Sequence, residues 1–362
     1  MLPRRMGLRD LLRPRYDGAF AATIGGIVDR IRDRAPPLAL SPHERLDGRT
    51  VLVTGANRGL GLAITVDLVR RGAHVVMACR SGIPEVMDVV RREAGAGAGT
   101  VEAVGLDLGD LASIERMVAE LAEDGVALDA VVLNAGIVPR EARRTKHGLD
   151  ESFQVNFLSN VLLVRRLLER GVIARGPGAR AGDDPDARDP GQDHRLPRIV
   201  FVSSESHRSA PPIDFSRLGS FRAWSMREAV QEYGATKLLA ETWSHELANR
   251  LRGEVAVHTV CPGAVNTDIA REAPSWAKPA LGATMKAFFK DPALAAKPIV
   301  YLVGARAIEG DTGLYVHVTR VKDRAAQARD AELGKRLWDA SERLLASTGH
   351  ALGRSDEGGE GR

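Results

Sequence analysis

The chain has 362 residues, of which 44% are hydrophobic and 4% aromatic, the composition of a globular protein with a sizeable core. Its net charge of +4 is concentrated in residues 1–15, so the balanced remainder makes a nucleic-acid-binding domain unexpected. No stretch reaches the ~18 apolar residues of a membrane-spanning helix. The two cysteines, Cys79 and Cys261, indicate neither a disulfide framework nor a metal site, and we expect a cytoplasmic protein.

Residues 1–48 form a basic extension before the first predicted strand. Apolar residues between Leu8 and Ile31 recur at helical spacing among arginines. One interpretation is a helix that contacts a membrane surface or a partner. The other is a helix packed on its own domain, or a loose arm. Pro36 and Pro37 end any helix here.

A strand, a glycine-rich turn and a helix follow one another at the start of the main domain. Thr50 to Thr54 is a short buried strand, and an amphipathic helix runs from Leu62 to Arg71. Glycines let the backbone turn tightly against a pyrophosphate, and the helix N-terminus presents free N–H groups to it. We therefore expect a nucleotide site at the residues between strand and helix, Gly55, Ala56, Asn57, Arg58, Gly59, Leu60 and Gly61.

The second strand, His74 to Ala78, indicates which dinucleotide would bind. An NAD site usually has an acidic residue at this strand end, to hold the ribose 2′-hydroxyl. Here the strand ends at Cys79-Arg80, and Arg58 supplies a second cation. Two guanidinium groups suit a 2′-phosphate, so we predict NADP(H) rather than NAD(H). The alternative is two solvated surface arginines.

Strands and helices then alternate along the chain. Predicted strands at 101–104, 130–133, 198–203 and 254–260 are separated by helices at 111–123 and 149–168. This alternation predicts one Rossmann-type, doubly wound α/β domain, with a parallel sheet of about seven strands and helices on both faces. We place the domain at 49–320, with a disordered insertion at 171–197, a C-terminal helix within 321–350 and a disordered tail at 351–362.

A predicted helix from Glu228 to Leu251 carries the pair Tyr233 and Lys237. Residues four apart project from the same face of a helix. A phenol titrates near pH 10, and a neighbouring ammonium group favours the phenolate, so the lysine is expected to lower the tyrosine pKa. The motif alone is weak, since many helices carry such a pair on a solvated face.

Several motifs in the same order resemble those of the short-chain dehydrogenase/reductase family, over roughly residues 49–320. Further stretches, Phe153 to Leu158, Thr236 to Leu238 and Arg336 to Glu342, resemble the branch that contains retinol dehydrogenases, the WW-domain oxidoreductase and protochlorophyllide reductase. The family motifs are Thr54 to Gly61, Asp107, Asn134-Ala135-Gly136, Asn156, Ser204, Tyr233 with Lys237, and Pro262-Gly263 with Thr267.

The resemblance implies four catalytic residues. Tyr233 would exchange a proton with the carbonyl or alcohol oxygen, and Lys237 would lower its pKa and hold the nicotinamide ribose. Ser204 would orient the carbonyl, with Ser203 as a competitor for that role. Asn156 would hold a water molecule that links Lys237 to a proton relay.

The resemblance also implies the surroundings of an NADP(H) molecule. Asp107 and Leu108 would lie near the adenine, Asn134, Ala135 and Gly136 near the adenosine ribose, and Pro262, Gly263 and Thr267 near the nicotinamide. Three departures are the long gap between Ser204 and Tyr233, Asn160 in place of a glycine, and the two extra segments at 1–48 and 171–197. Homodimers and tetramers are frequent in the family, so self-association stays open.

Residues 267–299 correspond to the segment that covers the active site in this family. Its apolar residues would suit a lipophilic aldehyde, ketone or alcohol, or they simply pack on the domain. The leading hypothesis is interconversion of such a carbonyl/alcohol pair. The rivals are reduction of a carbon–carbon double bond, and a catalytically quiet NADP(H)-binding regulatory protein.

Overall fold

In the computed structural model the described residues are 38–176, 195–226, 228–263, 291–318 and 320–353. They form one eight-stranded sheet with the strand order β3-β2-β1-β4-β5-β6-β7-β8. The strands are β1 (Thr50–Thr54), β2 (His74–Cys79), β3 (Val101–Gly105), β4 (Ala130–Leu133), β5 (Arg198–Val202), β6 (Ala256–Cys261), β7 (Tyr315–His317) and β8 (Arg320–Lys322).

Seven of these strands are parallel, and β8 alone pairs antiparallel with β7. The predicted doubly wound α/β fold is confirmed, with one more strand than the seven expected. Because β8 extends the sheet to residue 322, the domain does not end at residue 320 as predicted.

Eight α-helices lie in the described part of the chain. They are α1 (Gly59–Arg70), α2 (Ile83–Ala94), α3 (Leu111–Glu123), α4 (Glu151–Phe153), α5 (Ser159–Glu169), α6 (Ala229–Arg250), α7 (Pro292–Gly304) and α8 (Ala331–Ser347). A π-helical segment, Gln154–Leu158, joins α4 to α5 without a break. The sequence had indicated one helix over this whole region but not its change of pitch.

Each face of the sheet has its own apolar core. Helices α3, α5 and α6 cover one face, and α8 packs against them through Leu337, Trp338 and Leu345. Helices α1, α2 and α7 cover the other face. Strands β1, β2, β4, β5 and β6 are buried on both sides, which is why they read as short, largely apolar runs rather than as an alternating pattern.

The extension and the insertion are both shorter than predicted. Leu40 and Leu46 are buried against α7 and belong to the core, so the folded domain begins before residue 49. Val172 and Ile173 are also buried, and the Arg195 guanidinium donates to the Gly304 carbonyl at 2.7 Å. These contacts place both ends of the predicted disordered insertion in the fold. The middle of the insertion, 177–194, and residues 1–37 lie outside the described residues.

The chain order reverses where β1 lies between β2 and β4. In a parallel sheet of this kind, a crevice opens at that reversal beyond the carboxyl ends of the strands. The predicted glycine turn, Arg80, Asp107, Asn134 and Ser204 all follow such strand ends. The fold thus brings residues from five strands to one edge of the sheet.

Candidate active site

The glycine turn at residues 55–61 joins β1 to α1. Gly55 and Gly59 have positive φ angles of 65° and 53°, which only glycine adopts without strain. A methyl group on Gly61 would collide with the Gly55 carbonyl oxygen and lie 2.6 Å from Asn134 Nδ2. No side chain caps the N-terminus of α1, and its first turn holds no acidic residue. This end of α1 therefore fits an anionic pyrophosphate.

Asn134 ties the glycine turn to the end of β4. Its Nδ2 donates to the Thr54 carbonyl at 2.9 Å. Its own backbone N–H and that of Ala135 both donate to Thr54 Oγ1 at 3.0 Å. Asn57 Nδ2 donates to the Ser81 carbonyl at 2.8 Å and fixes the turn to the end of β2. These predicted nucleotide-binding residues are thus rigidly placed around one crevice.

Two exposed arginines stand beside this crevice. Arg58 is the residue before α1, and its guanidinium makes no hydrogen bond or ion pair with the residues that the structure describes. Arg80 follows β2 and lies 4.0 Å from the Asp107 carboxylate, with 66% of its side chain exposed. Asp107 itself accepts from the Gly109 N–H at 2.9 Å. Both cations are available to a ligand, since a single long, exposed pair binds weakly.

The Ser204 hydroxyl lies beside Tyr233, where its interaction opposes the rise of the Tyr233 pKa. Ser204 caps the 3₁₀ helix Glu205–Ser209, since its Oγ accepts from the Ser206 N–H at 3.3 Å. Ser203 is buried, and its hydroxyl has no hydrogen-bond partner among the described residues. The geometry thus favours Ser204, rather than Ser203, as the hydroxyl that works with the tyrosine.

Lys237 lies one turn beyond Tyr233 on the same face of α6. Its Nζ donates to the Val202 carbonyl at 2.8 Å and lies 5.5 Å from the centre of the Tyr233 ring. Only 6% of Lys237 is exposed. Burial lowers the pKa of Lys237 to about 8, although the Glu241 charge opposes this shift. The ammonium is therefore held beside the end of β5 at a cost in desolvation.

The structure does not show the depression of the Tyr233 pKa that the resemblance implied. Burial raises the pKa of Tyr233 above its ordinary value, and the Cys261 thiol adds to the rise, while the interaction with the Ser204 hydroxyl opposes it. The lysine charge does not reverse the shift, because Nζ is turned toward the Val202 carbonyl. Tyr233 is therefore a neutral phenol throughout the neutral pH range.

Asn156 lies in the π-helical segment, which directs its amide at the loop after β4. Its Oδ1 accepts from the Ile137 N–H at 2.8 Å, and its Nδ2 donates to the Ile137 carbonyl at 2.9 Å and to Thr236 Oγ1 at 3.2 Å. A methyl group on Gly136 would lie 3.2 Å from Asn156 Oδ1 and 3.9 Å from Lys237 Nζ. Gly136 therefore marks the point where the asparagine and the lysine meet.

The remaining predicted site residues are placed differently. The carbonyl of buried Leu108 accepts from Gln154 Nε2 and Ser159 Oγ, so it anchors the asparagine-bearing helix to the loop after β3. Pro262 and Gly263 follow β6, and Gly263 has a φ of 83°. Thr267 and most of the predicted lid lie outside the described residues. Pro292, expected in that lid, instead begins α7.

A cavity of about 420 Å³ opens on the other side of α6. Helix residues that line it include Glu232, Ala235, Thr236 and Leu239. Neither Tyr233 nor Lys237 lines the cavity, and Ser204 does not line it either. The cavity is therefore separate from the space directly around these three side chains.

Sequence reasoning missed the groups that hold the catalytic side chains in place. The Val202 carbonyl and Thr236 hydroxyl contact Lys237 and Asn156. Glu205, directly after Ser204, accepts from Tyr315 Oη at 2.6 Å and from Arg208 Nε at 2.9 Å. Apart from the Glu205–Arg208 pair, these contacts join residues distant in the chain, so no local pattern reveals them.

Comparison with known proteins agrees with this geometry. The family model described as short chain dehydrogenase matches residues 49–179. Human retinol dehydrogenase 14 is 31% identical over 338 residues, which cover 89% of this chain and 92% of that protein. The chain belongs to the short-chain dehydrogenase/reductase family, in its retinol dehydrogenase-like branch. Mouse retinol dehydrogenase 13 is 30% identical and covers 91% of this chain and 96% of its own length. Membership makes the protein an oxidoreductase of the dehydrogenase/reductase class.

Solved structures show the same fold. An uncharacterised protein from Mycobacterium paratuberculosis has a TM-score of 0.61 and 25% identity, and covers 89% of this chain and 98% of its own. The Pseudomonas aeruginosa RhlG/NADP complex has a TM-score of 0.54 and 23% identity, with 77% of this chain and 98% of that one covered.

Within the ranges that the structure describes, no helix has the length and apolar character needed to cross a membrane. Nor do three or more histidine, cysteine or acidic side chains come together there as a metal site would require.

Proposed function

We propose that the protein is an NADP(H)-dependent oxidoreductase that interconverts a lipophilic aldehyde or ketone with its alcohol. The observation that carries the proposal is that Ser204, Tyr233 and the buried Lys237 lie together beyond the end of β5, with the Lys237 ammonium 5.5 Å from the centre of the Tyr233 ring. The retinol dehydrogenase names of the relatives support a lipophilic alcohol as substrate.

The residues present fit a nicotinamide dinucleotide. The glycine turn and the uncapped start of α1 would take the pyrophosphate, and Arg58 and Arg80 would take a 2′-phosphate. Two structural neighbours were solved with NADP bound, which supports the same cofactor class here. The dinucleotide, when bound, supplies or accepts the hydride at the carbonyl carbon.

Tyr233 would then act as the acid in carbonyl reduction. As the carbon gains a hydride, the carbonyl oxygen takes the electron pair of the C=O bond and the proton of the phenol. The raised pKa of Tyr233 keeps that proton on the phenol until the oxygen becomes basic. Ser204 would hydrogen-bond the same oxygen and orient it.

Lys237 and Asn156 would support this proton transfer. The ammonium of Lys237 stabilises the phenolate that the transfer leaves behind, which is where its charge matters most. Asn156 fixes the backbone of Ile137 on the opposite wall, where the resemblance implies a water relay. Ser204, Asn156 and Lys237 would keep their places during the reaction, because each is anchored by hydrogen bonds within the domain.

The test is a comparison of NADPH and NADH oxidation with long-chain aldehydes, retinal and ketosteroids. We expect turnover with NADPH, and a loss of about 10²–10⁴-fold in Tyr233→Phe, the range typical of a removed acid–base group. Tyr301→Phe, a change of the same kind in α7, is the matched control and should keep full activity. Activity that survives in Tyr233→Phe would contradict the mechanism.

The product identifies the reaction class. An alcohol supports the proposal, whereas a saturated carbon–carbon bond supports the double-bond reductase. Tight NADPH binding without turnover on any substrate would favour a regulatory nucleotide-binding protein.

A further inference from the structure

Helix α6 carries a second ionisable side chain on the same face as Lys237. Glu241 lies four residues further along α6, and its side chain is fully buried. Its Oε2 accepts from Thr259 Oγ1 at 3.0 Å and from Arg324 Nε at 2.9 Å. Its Oε1 is buried without a hydrogen-bond partner among the described residues. A buried carboxylate oxygen of this kind calls for an explanation.

The two side chains lie under adjacent strands. Lys237 binds the carbonyl of Val202 in β5, and Glu241 binds Thr259 in β6. Val202 pairs with Val260, the residue after Thr259. Residues four apart on a helix face are neighbours, so the ammonium and the carboxylate share one buried layer between α6 and the ends of these strands.

Arg324 holds the carboxylate in this layer. It follows β8, and only 4% of its side chain is exposed. Besides Glu241 it donates to the Gly313 carbonyl at 2.6 Å and to Thr259 Oγ1 at 3.2 Å. A guanidinium fixed by several acceptors gives a carboxylate a definite position and not only a counter-charge.

The ionisable groups around Lys237 come from α6, β6, β7 and the segment after β8. Without a negative neighbour, a buried lysine loses its proton more readily, because burial costs the charged ammonium more hydration than it costs the neutral amine. Burial already lowers the pKa of Lys237 to about 8, and the Glu241 charge is the largest effect that opposes the fall. The other ionisable groups that face the Lys237–Glu241 layer are Tyr233, His245, Cys261, Tyr315 and Arg324.

We propose that Glu241, held by Arg324 and Thr259, is a positioning residue that keeps Lys237 charged. The inference rests on the proposed function for the role of Lys237 in catalysis. The link between Glu241 and Lys237 itself needs neither a substrate nor a cofactor. A purely structural tie between α6 and β6 is the alternative.

A direct test is an NMR titration of Lys237 in protein that carries ε-¹³C-labelled lysine. We expect Glu241→Gln, which keeps the size of the side chain, to lower the pKa of Lys237 by about one unit or more. Glu246→Gln is the matched control, because Glu246 is also buried on α6 but pairs with Arg250. It should leave the Lys237 pKa unchanged. A folded Glu241→Gln protein with an unchanged Lys237 pKa overturns the proposal.

The pH profile of activity provides the second readout. Charged Lys237 is present below its pKa and lost above it, so activity should fall as the pH rises through about 8. In Glu241→Gln this alkaline limb should move to lower pH by the same amount as the NMR pKa. If Glu241 only linked α6 to β6, Glu241→Gln would lower activity equally at every pH. If the pKa shifts but no substrate is turned over, the positioning of Lys237 stands and the proposed function fails.

Discussion

Arg80 lies where one side chain would determine the preference for NADPH over NADH. It follows β2, is mostly exposed, and its weak contact with Asp107 leaves it available to a phosphate. Loss of a hydrogen bond to a charged group costs about 1.5–3 kcal/mol, which corresponds to about tenfold to hundredfold in affinity. We therefore expect Arg80→Gln to weaken NADPH binding by that factor and to leave NADH binding nearly unchanged.

Fluorescence titration with both dinucleotides measures this difference. Arg91→Gln is the control, because Arg91 is an exposed arginine on α2 that pairs only with Asp88. An equal loss of affinity for NADH and NADPH in Arg80→Gln would show that this residue does not read the 2′-phosphate.

The residues that could be predicted from the sequence are those whose spacing is local. Tyr233 and Lys237 share a helix face, and the glycine turn directly follows a buried strand, so short patterns indicate both. Glu241 and Arg324 are separated by 83 positions, and only the packing of α6 on β6 joins them. The direction of the Tyr233 pKa shift also depends on burial and on the orientation of the Lys237 side chain. Neither can be read from the spacing of the two residues in the sequence.

At the scale of elements, α8 closes the outer side of α6. Trp338 of α8 stacks on Trp243 of α6, with ring centres 5.2 Å apart and planes 7° from parallel. The guanidinium groups of Arg165 and Arg250 lie 4.9 and 4.2 Å from the Trp338 ring. Aromatic stacking and cation–π contacts add to the burial of apolar surface. The C-terminal helix is thus part of the folded domain.

Removal of this ring should destabilise the protein. We expect Trp338→Ala to lower the free energy of unfolding by about 3–5 kcal/mol, the usual cost of a buried tryptophan. Urea denaturation measures it. Asp339→Ala, one residue further on the exposed side of α8, is the control and should change the value little. A loss below about 1 kcal/mol in Trp338→Ala would mean that α8 contributes little to the fold.

Elements with a strong local pattern could be predicted, and those defined by packing could not. Strands β1 and β4 and helix α3 have the bounds expected from their apolar runs. Helix α7 lies in a region that was interpreted as a lid, and it contains Pro298 within its length. Strands β7 and β8 have three residues each, too few to show a period. Their pairing depends on long-range contacts at the edge of the sheet, which a short sequence pattern does not show.

At the scale of the whole molecule, His258 makes stability depend on pH. It is fully buried in β6, and neither ring nitrogen has a partner among the described residues. Burial, together with the nearby Arg198 charge, lowers the pKa of His258 to about 3. Below pH 6.5 the unfolded chain binds a proton here that the folded chain does not. Stability therefore falls as the pH falls from about 6.5 toward 3.

The slope is the measurable quantity. One proton corresponds to about 1.4 kcal/mol per pH unit, and His258→Leu should remove that much of the dependence between pH 6 and pH 4. Urea denaturation over this range gives the slope. His43→Leu, at an exposed position, should keep it. An unchanged slope in His258→Leu would show that other groups govern the acid response.

Arg324 is synthesised long after the residues proposed to bind the dinucleotide. The residues proposed to hold the adenosine and pyrophosphate of the dinucleotide lie between Gly55 and Gly136 and leave the ribosome early. Arg324, which neutralises the Glu241 charge, emerges only when about nine-tenths of the 362 residues have been made. A product that terminates before residue 324 would keep the residues proposed to bind the dinucleotide yet bury an unneutralised carboxylate beside the catalytic lysine. We expect such truncated chains to be unstable and to be degraded by cellular proteases.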